Sequence, residues 1–130
     1  MVEAARKSGL PIDVRELAAD QVGDAIRHVA AEGVRRIAVA GGDGTVAIAA
    51  GLASKHSLEL AIIPGGTLNH LASDLGIPDA VDEALRLALD GEARPVDAGS
   101  VNGQLFLNTS SVGSYVTFVR LRERLERFLG

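Results

Sequence analysis

The sequence has no cysteine and no tryptophan, and aromatic residues make up only 3% of it. The absence of thiols excludes disulfides, thiolate zinc sites and cysteine nucleophiles, and it is consistent with a cytoplasmic protein. Because aromatic residues are so rare, a hydrophobic core has to be built from Ala, Val, Ile and Leu.

Long apolar runs and an excess of basic charge are also absent. No run approaches the roughly 20 residues of a membrane span, and the N-terminus has no signal-peptide core. We therefore expect a chain that does not cross a membrane, although it can still touch one. The formal net charge of -4 argues against broad nucleic-acid binding. At 130 residues, 47% of them hydrophobic, the chain is long enough for one compact domain.

Strand-like and helix-like patterns alternate along the chain, which predicts an α/β fold with a parallel sheet. The predicted strands cover residues 10–17, 35–41 and 58–63, and the predicted helices cover residues 2–9, 20–33, 46–53, 68–75 and 79–91, with Asp20 and Asp79 as N-caps. Asn102-Gly103 predicts a hairpin within residues 94–113, and the residues from Tyr115 onward predict a helix. Because the first predicted element is a helix followed by a strand, we expect the chain to begin in the middle of a strand–helix–strand unit, after the first strand of that unit.

Two glycine-rich loops follow predicted strands, at Gly41–Thr45 (loop 1) and at Pro64–Asn69 (loop 2). Since right-handed crossovers bring the carboxyl ends of parallel strands to one edge of a sheet, we expect both loops to open there. Glycine lets a backbone approach a ligand closely, and a helix N-terminus offers unpaired N–H groups that hold phosphate. We predict a phosphate cradle formed by the glycines of loop 1 and the Thr45 hydroxyl. The alternative is a tight turn with Thr45 as N-cap.

Asp43 is our candidate catalytic residue, because a carboxylate beside a phosphate loop would repel the ligand unless it had a task. It can hold Mg²⁺, accept a proton from an attacking hydroxyl, or position the nucleotide through the loop backbone. The sequence leaves these three tasks open. The alternative is a turn residue that caps its own loop.

Loop 2 adds polar groups to the same edge. Gly65 and Gly66 give access to the backbone, while Thr67 and Asn69 supply a hydroxyl and an amide. Thr67 fits an N-cap as well as it fits a ligand contact. Asn69 is a poor helix former within a first helical turn, which favours a polar contact for its side chain.

Other nucleotide and metal motifs fit poorly. The letters GDGTVA match a loose dinucleotide fingerprint, but the next strand ends in Ile63-Pro64 and not in the acidic residue that would bind the ribose. A Walker A loop needs a lysine that this loop lacks. The three histidines, His28, His56 and His70, do not have the spacing of metal ligands, so no metal site is predicted.

Four segments resemble the diacylglycerol kinase catalytic domain family, the lipid kinase group that includes sphingosine and ceramide kinases and is related to NAD kinases and phosphofructokinases. They are GGDGT at 41–45, PGGTLNHLASDLGIP at 64–78, RPVDAGSVNG at 94–103 and FLNTSSVG at 106–113, and they extend over nearly the whole chain. GGDGT alone is shared with NAD kinases, whereas the other segments resemble the bacterial lipid kinase branch.

The resemblance implies a three-layer, parallel-sheet, NAD kinase-like fold that ends in a hairpin and a helix. It also implies transfer of a phosphoryl group from ATP to a lipid hydroxyl, such as that of diacylglycerol, with Mg²⁺. In such a site loop 1 lines the nucleotide phosphates and Thr67 also contacts ATP. The residues expected to bind ATP are Gly41, Gly42, Asp43, Gly44, Thr45, Gly66, Thr67 and Asn69.

The resemblance further divides the chain into two parts. Residues 1–93 correspond to the nucleotide-binding domain without its first strand, and residues 94–130 correspond to the start of a second, β-rich domain. In relatives that second domain holds the lipid groove, the Mg²⁺ ligands and an acidic general base. We therefore expect the nucleotide-binding half of a lipid kinase, with negligible activity of its own; whether it is a natural truncation stays open.

Two other functions stay open. Relatives continue GGDGT with x-Asn-Glu, where Val46-Ala47-Ile48 stand here, so a non-catalytic nucleotide-binding or assembly module is one alternative. An NAD kinase-like phosphotransferase is the other, although loop 2 argues against it. The arginine-rich tail most simply forms a solvated helix. It can also meet anionic lipid at the inner membrane face, or pack against a second copy through Phe118 and Leu121.

Overall fold

The computed structural model describes residues 12–107, so the helices predicted at residues 2–9 and after Tyr115 lie outside the described residues. The helices are α1 (Val22–Ala31), α2 (Asp43–His56), α3 (His70–Asp74) and α4 (Val81–Asp90), and the strands are β1 (Arg36–Gly41), β2 (Glu59–Pro64), β3 (Gly99–Val101) and β4 (Gln104–Phe106). This alternation confirms the predicted α/β class. Between residues 12 and 107, no helix combines the length and the apolar character needed to cross a bilayer.

β1 and β2 pair as parallel strands, from Arg36 opposite Glu59 to Gly41 opposite Pro64. Both strands are short runs rich in Ala, Val, Ile or Leu, which is typical of strands covered on both faces. Because the two strands end in register, loop 1 and loop 2 leave the sheet side by side at one edge.

Helices cover both faces of this sheet, which confirms the predicted three-layer arrangement. The consecutive residues Ile62 and Ile63 of β2 point to opposite faces, as successive residues of a strand must. Ile63 clusters with Ala84 and Leu85 of α4. Ile62 clusters with Val46 of α2 and with α3 on the other face. α1 packs against α2, outside the sheet.

The core of the described residues is aliphatic, as the composition predicts. Its buried side chains are Ile26, Val46, Ala49, Ala53, Ile62, Ile63, Leu71, Ala72, Ala84 and Leu85. The alanines lie on helices, where their small side chains let the helix backbone approach its neighbours closely.

Residues 12–17 are not the strand that the sequence predicts. They pair with no other strand of the described chain. Ile12 and Val14 are half-buried against the Ile63 cluster, while Asp13 and Arg15 are exposed. The alternation of apolar and polar residues therefore arises because one side of an irregular segment packs on the core. The segment has no hydrogen-bonded neighbouring strand in the described chain.

Two predicted N-caps are also wrong. Gln21, and not Asp20, is the N-cap of α1. Ala80, and not Asp79, is the N-cap of α4, and Asp82 lies in the first turn of that helix. An acidic residue in the first turn stabilises the positive end of the helix dipole even when it makes no capping hydrogen bond.

The predicted hairpin is present, with β3 and β4 antiparallel on either side of Asn102-Gly103. Both turn residues have positive φ, 50° and 76°, which is the combination of a type I′ turn. Gly99 lies under the ring of Phe106, which would collide with any Cβ at this position. β4 also packs against α2 and so joins the hairpin to the sheet layers.

Arg36 ties the sheet to α4 at the edge opposite the loops. Its Nε donates to the Glu59 carboxylate at 2.7 Å. Its Nη1 donates to the carbonyls of Ala88 and Leu89, at 3.2 and 3.0 Å. Since these carbonyls belong to the last turn of α4, Arg36 both pairs the strands and caps a helix C-terminus.

Candidate functional site

Loop 1 is the junction between β1 and α2. Gly41 is the last residue of β1, Gly42 is an N-cap with extended backbone (φ -85°, ψ 179°), and Asp43 already belongs to the helix. The helix therefore starts inside loop 1, earlier than the predicted Val46. The cause is that two glycines and a carboxylate, which look like loop residues in the sequence, form or precede the first helical turn.

The first turn of α2 presents unpaired backbone donors. The first helical hydrogen bond runs from the Val46 N–H to the Gly42 carbonyl, at 3.1 Å. The N–H groups of Asp43, Gly44 and Thr45 therefore have no partner within the helix. The N-cap is a glycine and makes no side-chain hydrogen bond to them. Together with the positive end of the helix dipole, these donors can hold an anion.

Thr45 is not an N-cap, so the alternative interpretation of this residue is wrong. It lies in the first turn of α2, and its side chain folds over Gly41. A Cβ on Gly41 would lie 2.9 Å from the Thr45 Cβ and 3.2 Å from its Oγ1. The absence of a side chain at Gly41 thus leaves room for the Thr45 side chain, whose hydroxyl lies close to the Gly41 backbone.

Gly44 differs from its neighbours, because nothing in the described chain requires a glycine there. It is exposed and its φ is not positive, and no heavy atom lies within 4 Å of an added Cβ. In a helix, alanine would be favoured over glycine by roughly 0.5–1 kcal/mol. Because Gly44 is exposed and has no side chain, a ligand can approach the backbone of this first turn closely.

Loop 2 is fastened by its own main chain and by Asn69. The Gly65 N–H donates to the Gly41 carbonyl at 3.1 Å. Asn69 accepts the Gly66 N–H at its Oδ1 (2.8 Å) and donates from Nδ2 to the Gly66 carbonyl (3.0 Å). Asn69 therefore makes its polar contact inside the loop. The N–H groups of Gly65 and Gly66 are occupied, so Gly66 can serve a ligand only through its small size.

The two loops touch through glycine backbones. A Cβ on Gly66 would lie 2.5 Å from the Gly42 Cα, and a Cβ on Gly42 would lie 3.3 Å from the Gly66 Cα. Thr67 is exposed and is not the N-cap of α3, because Asn69 holds that position with φ 49°. The structure thus brings the predicted residues of both loops together at one edge of the sheet.

Asp43 is half-buried and reaches across to α3, the helix that follows loop 2. Its Oδ1 accepts the N–H of Leu71 in α3, at 3.3 Å. The alternative interpretation, in which Asp43 caps its own loop, is therefore wrong: the Asp43 side chain caps α3. Sequence reasoning missed Leu71, because a contact between positions so far apart leaves no local pattern. In the range 12–107, no three His, Cys, Asp or Glu side chains converge on a metal-sized site.

A cavity of about 410 Å³ lies on the α2 side of the sheet, apart from the loops. Its walls come from α2, β2, α3, residues 93–98 and the hairpin, and include Ala53, Ile62, Leu75 and Val96. The lining contains none of the predicted site residues, and no sequence motif indicated it. The candidate site at the sheet edge is therefore separate from this cavity.

The family model described as "Diacylglycerol kinase catalytic domain" matches residues 1–101. The "Probable lipid kinase YegS-like" protein of Cronobacter sakazakii is 35% identical over 138 residues, covering 99% of this chain and 46% of that protein. Its namesake from Pseudomonas syringae pv. syringae is 44% identical over 132 residues, covering 96% of this chain and 42% of that protein.

A solved structure agrees with these relatives. The crystal structure of a diacylglycerol kinase from Bacillus anthracis str. Sterne superposes with a TM-score of 0.63 at 36% identity, covering 72% of this chain and 33% of that chain. The chain spans less than half the length of the curated relatives it matches. Since the family model covers most of its residues, the chain belongs to the diacylglycerol kinase catalytic domain family.

Proposed function

We propose that this chain is the nucleotide-binding part of a lipid kinase, which transfers the γ-phosphate of ATP to a lipid hydroxyl such as that of diacylglycerol. Membership of the family and the lipid kinase names of the relatives support the proposal. The observation that carries it is the first turn of α2. Its first three N–H groups have no partner within the helix, and the middle one belongs to a glycine, Gly44, that the fold does not need.

The phosphates of ATP bind to the N–H groups of Asp43, Gly44 and Thr45. The positive end of the α2 dipole favours their negative charge. The hydroxyls of Thr45 and Thr67 donate from loop 1 and loop 2. The remaining predicted residues act through shape: Gly41, Gly42 and Gly66 allow the close packing of the loops, and Asn69 holds loop 2 in position.

Phosphoryl transfer depends mainly on positioning and on stabilising charge. The reaction breaks the bond between the γ-phosphorus and the β–γ bridging oxygen, which leaves with ADP. The γ-phosphorus forms an ester bond with the oxygen of the lipid hydroxyl, and the proton of that hydroxyl passes to a general base. Mg²⁺ would arrive with the nucleotide phosphates, because residues 12–107 contain no converging set of carboxylate or histidine ligands. We place the lipid site in the β-rich domain that residues 94–130 begin, and the nucleotide site in residues 1–93.

Titration calorimetry with MgATP tests the proposal. We expect saturable binding by the 130-residue chain, without transfer of the γ-phosphate to lipid extracts, since the chain spans less than half of its relatives. Joined to the C-terminal part of a full-length relative, the chain is expected to transfer phosphate to lipid. Absence of MgATP binding would reject the proposal. Transfer of the γ-phosphate to NAD in place of lipid would support an NAD kinase-like enzyme.

A non-catalytic nucleotide-binding module is the second candidate, favoured by the residues that follow loop 1. Ala47 and Ile48 are exposed on α2, and Ile48 has 48% of its surface accessible. Apolar side chains thus occupy solvent-facing positions next to the proposed phosphate site. The fold would accept the Asn and Glu of the relatives at these positions, so their absence is not explained by packing. MgATP binding by the chain joined to the C-terminal part of a relative, without transfer to any lipid, would support this candidate.

A further inference from the structure

Three contacts join loop 1 to loop 2 and to α3, the helix that follows it. The Gly65 N–H donates to the Gly41 carbonyl, and the backbones of Gly42 and Gly66 touch. The third contact is the only one of these three that uses a side chain: Asp43 Oδ1 accepts the N–H of Leu71. The position of loop 2 relative to the α2 N-terminus therefore depends on one carboxylate oxygen as well as on two glycine contacts.

α3 needs this acceptor because it has no cap of its own. Its N-cap residue, Asn69, is in the left-handed region (φ 49°, ψ 42°) and makes no side-chain capping bond. The amide of Asn69 is occupied by the N–H and carbonyl of Gly66. A free N–H at a helix start is normally satisfied by an oxygen from the residue just before it. Here the oxygen comes from the other loop.

The contact explains why a carboxylate can stand beside a phosphate site. Asp43 has one oxygen directed at the N–H of Leu71, near the positive end of α3, and its own N–H faces the proposed phosphate site in α2. Its side chain and its main chain thus point to different partners. What the contact requires of the side chain is an oxygen acceptor, and a negative charge is not needed for it.

We propose that Asp43 is a positioning residue, whose carboxylate caps α3 and thereby holds Thr67 of loop 2 beside the N-terminus of α2. This rests on the proposed function, because it assigns Asp43 one of the three tasks open to it at the ATP site. The assignment differs from proton acceptance and from Mg²⁺ binding in one respect: an amide oxygen can replace the carboxylate. Asp43→Asn therefore keeps the cap, whereas Asp43→Ala removes it.

The test compares wild type, Asp43→Asn and Asp43→Ala in the full chain, by MgATP calorimetry and by hydrogen exchange of the Leu71 amide. Loss of a cap of this kind corresponds to about a fivefold change in an equilibrium constant. We expect Asp43→Ala to speed Leu71 exchange and weaken MgATP binding by about that factor or more. Asp43→Asn should recover most of both losses. Asp82→Ala and Asp82→Asn are the matched controls, since Asp82 is an exposed carboxylate in the first turn of α4 that bonds to neither loop within residues 12–107.

Two outcomes overturn the proposal. Equal weakness of Asp43→Asn and Asp43→Ala in MgATP binding would show that the negative charge itself is needed. Unchanged Leu71 exchange in Asp43→Ala would show that the carboxylate does not hold α3. If the wild type fails to bind MgATP, the proposed function fails, and Leu71 exchange in the three proteins still decides whether Asp43 positions loop 2.

Discussion

Gly44 is the residue at which stability and ligand binding are expected to separate. It occupies an exposed helical position with open space where a Cβ would stand, so the fold gains nothing from a glycine there. We expect Gly44→Ala to raise the free energy of unfolding by about 0.5–1 kcal/mol. The added methyl group enters the space where phosphate would bind, so MgATP affinity should fall by roughly tenfold, about 1.4 kcal/mol.

Denaturant unfolding and calorimetry on the same protein check this prediction. Gly51→Ala is the matched control, because Gly51 also lies in α2 with no atom near its missing Cβ, but away from loop 1. It should gain similar stability and keep its MgATP affinity. A Gly44→Ala variant that binds MgATP as tightly as the wild type would remove the main support for the cradle.

Gly66 is expected to behave in the opposite way, because the fold itself needs it. A Cβ at this position would lie 2.5 Å from the Gly42 Cα, and backbone atoms cannot move aside as a flexible side chain can. Gly66→Ala should lower the free energy of unfolding by about 1–3 kcal/mol. It should also weaken MgATP binding, since the two loops would separate. Thermal unfolding followed by circular dichroism measures the first effect, and an unchanged melting temperature would contradict the close loop contact.

At the level of secondary structure, the alternating strands and helices and the hairpin could be predicted, because their signals are local. Apolar runs bounded by glycine predict β1 and β2, and Asn102-Gly103 predicts its turn directly. The sequence could not predict which residue starts each helix, since the glycines of loop 1 are compatible with a turn and with a helix N-terminus. The pattern of residues 12–17 does not distinguish a strand from an irregular segment, because packing one side on the core imposes the same alternation.

Contacts between distant positions account for the rest of what the sequence could not predict. The site edge was predictable, because parallel strands bring successive loops together. The use of the loop atoms was not. Nothing in the letters PGGTLN indicates that Asn69 occupies the N–H of Gly66, or that Asp43 reaches Leu71. Because hydrogen bonds within the chain occupy N–H groups of loop 2, loop 1 is the main source of free N–H donors for a ligand.

Arg36 connects β1, β2 and α4, so its loss should destabilise the contacts among all three elements. It bonds Glu59 across the sheet and two carbonyls at the end of α4. We expect Arg36→Met, which keeps the aliphatic stem, to lower the free energy of unfolding by about 1–2 kcal/mol, because these charge-assisted bonds are half-buried. Arg86→Met, at an exposed position of α4, is the control. Equal stabilities of the two variants in urea unfolding would contradict this role.

At the scale of the whole molecule, the described chain combines a small aliphatic core with a ligand edge built from backbone. Helices on both faces fix the two strands, and the strands fix where loop 1 and loop 2 emerge. The chemistry of the edge is that of N–H donors and hydroxyls, which suits the binding of phosphate. The central claim is therefore that these residues bind the phosphates of ATP at the N-terminus of α2.

Titration of the ¹⁵N-labelled chain with MgATP, followed by amide chemical shifts, tests that claim most directly. We expect the largest shifts at the amides of Asp43, Gly44 and Thr45, with a smaller shift at Thr67. The amides of Gly65 and Gly66 should move less, because their N–H groups are already bonded within the chain. Shifts confined to the cavity between α2 and the hairpin, or no shifts at saturating MgATP, would contradict the account.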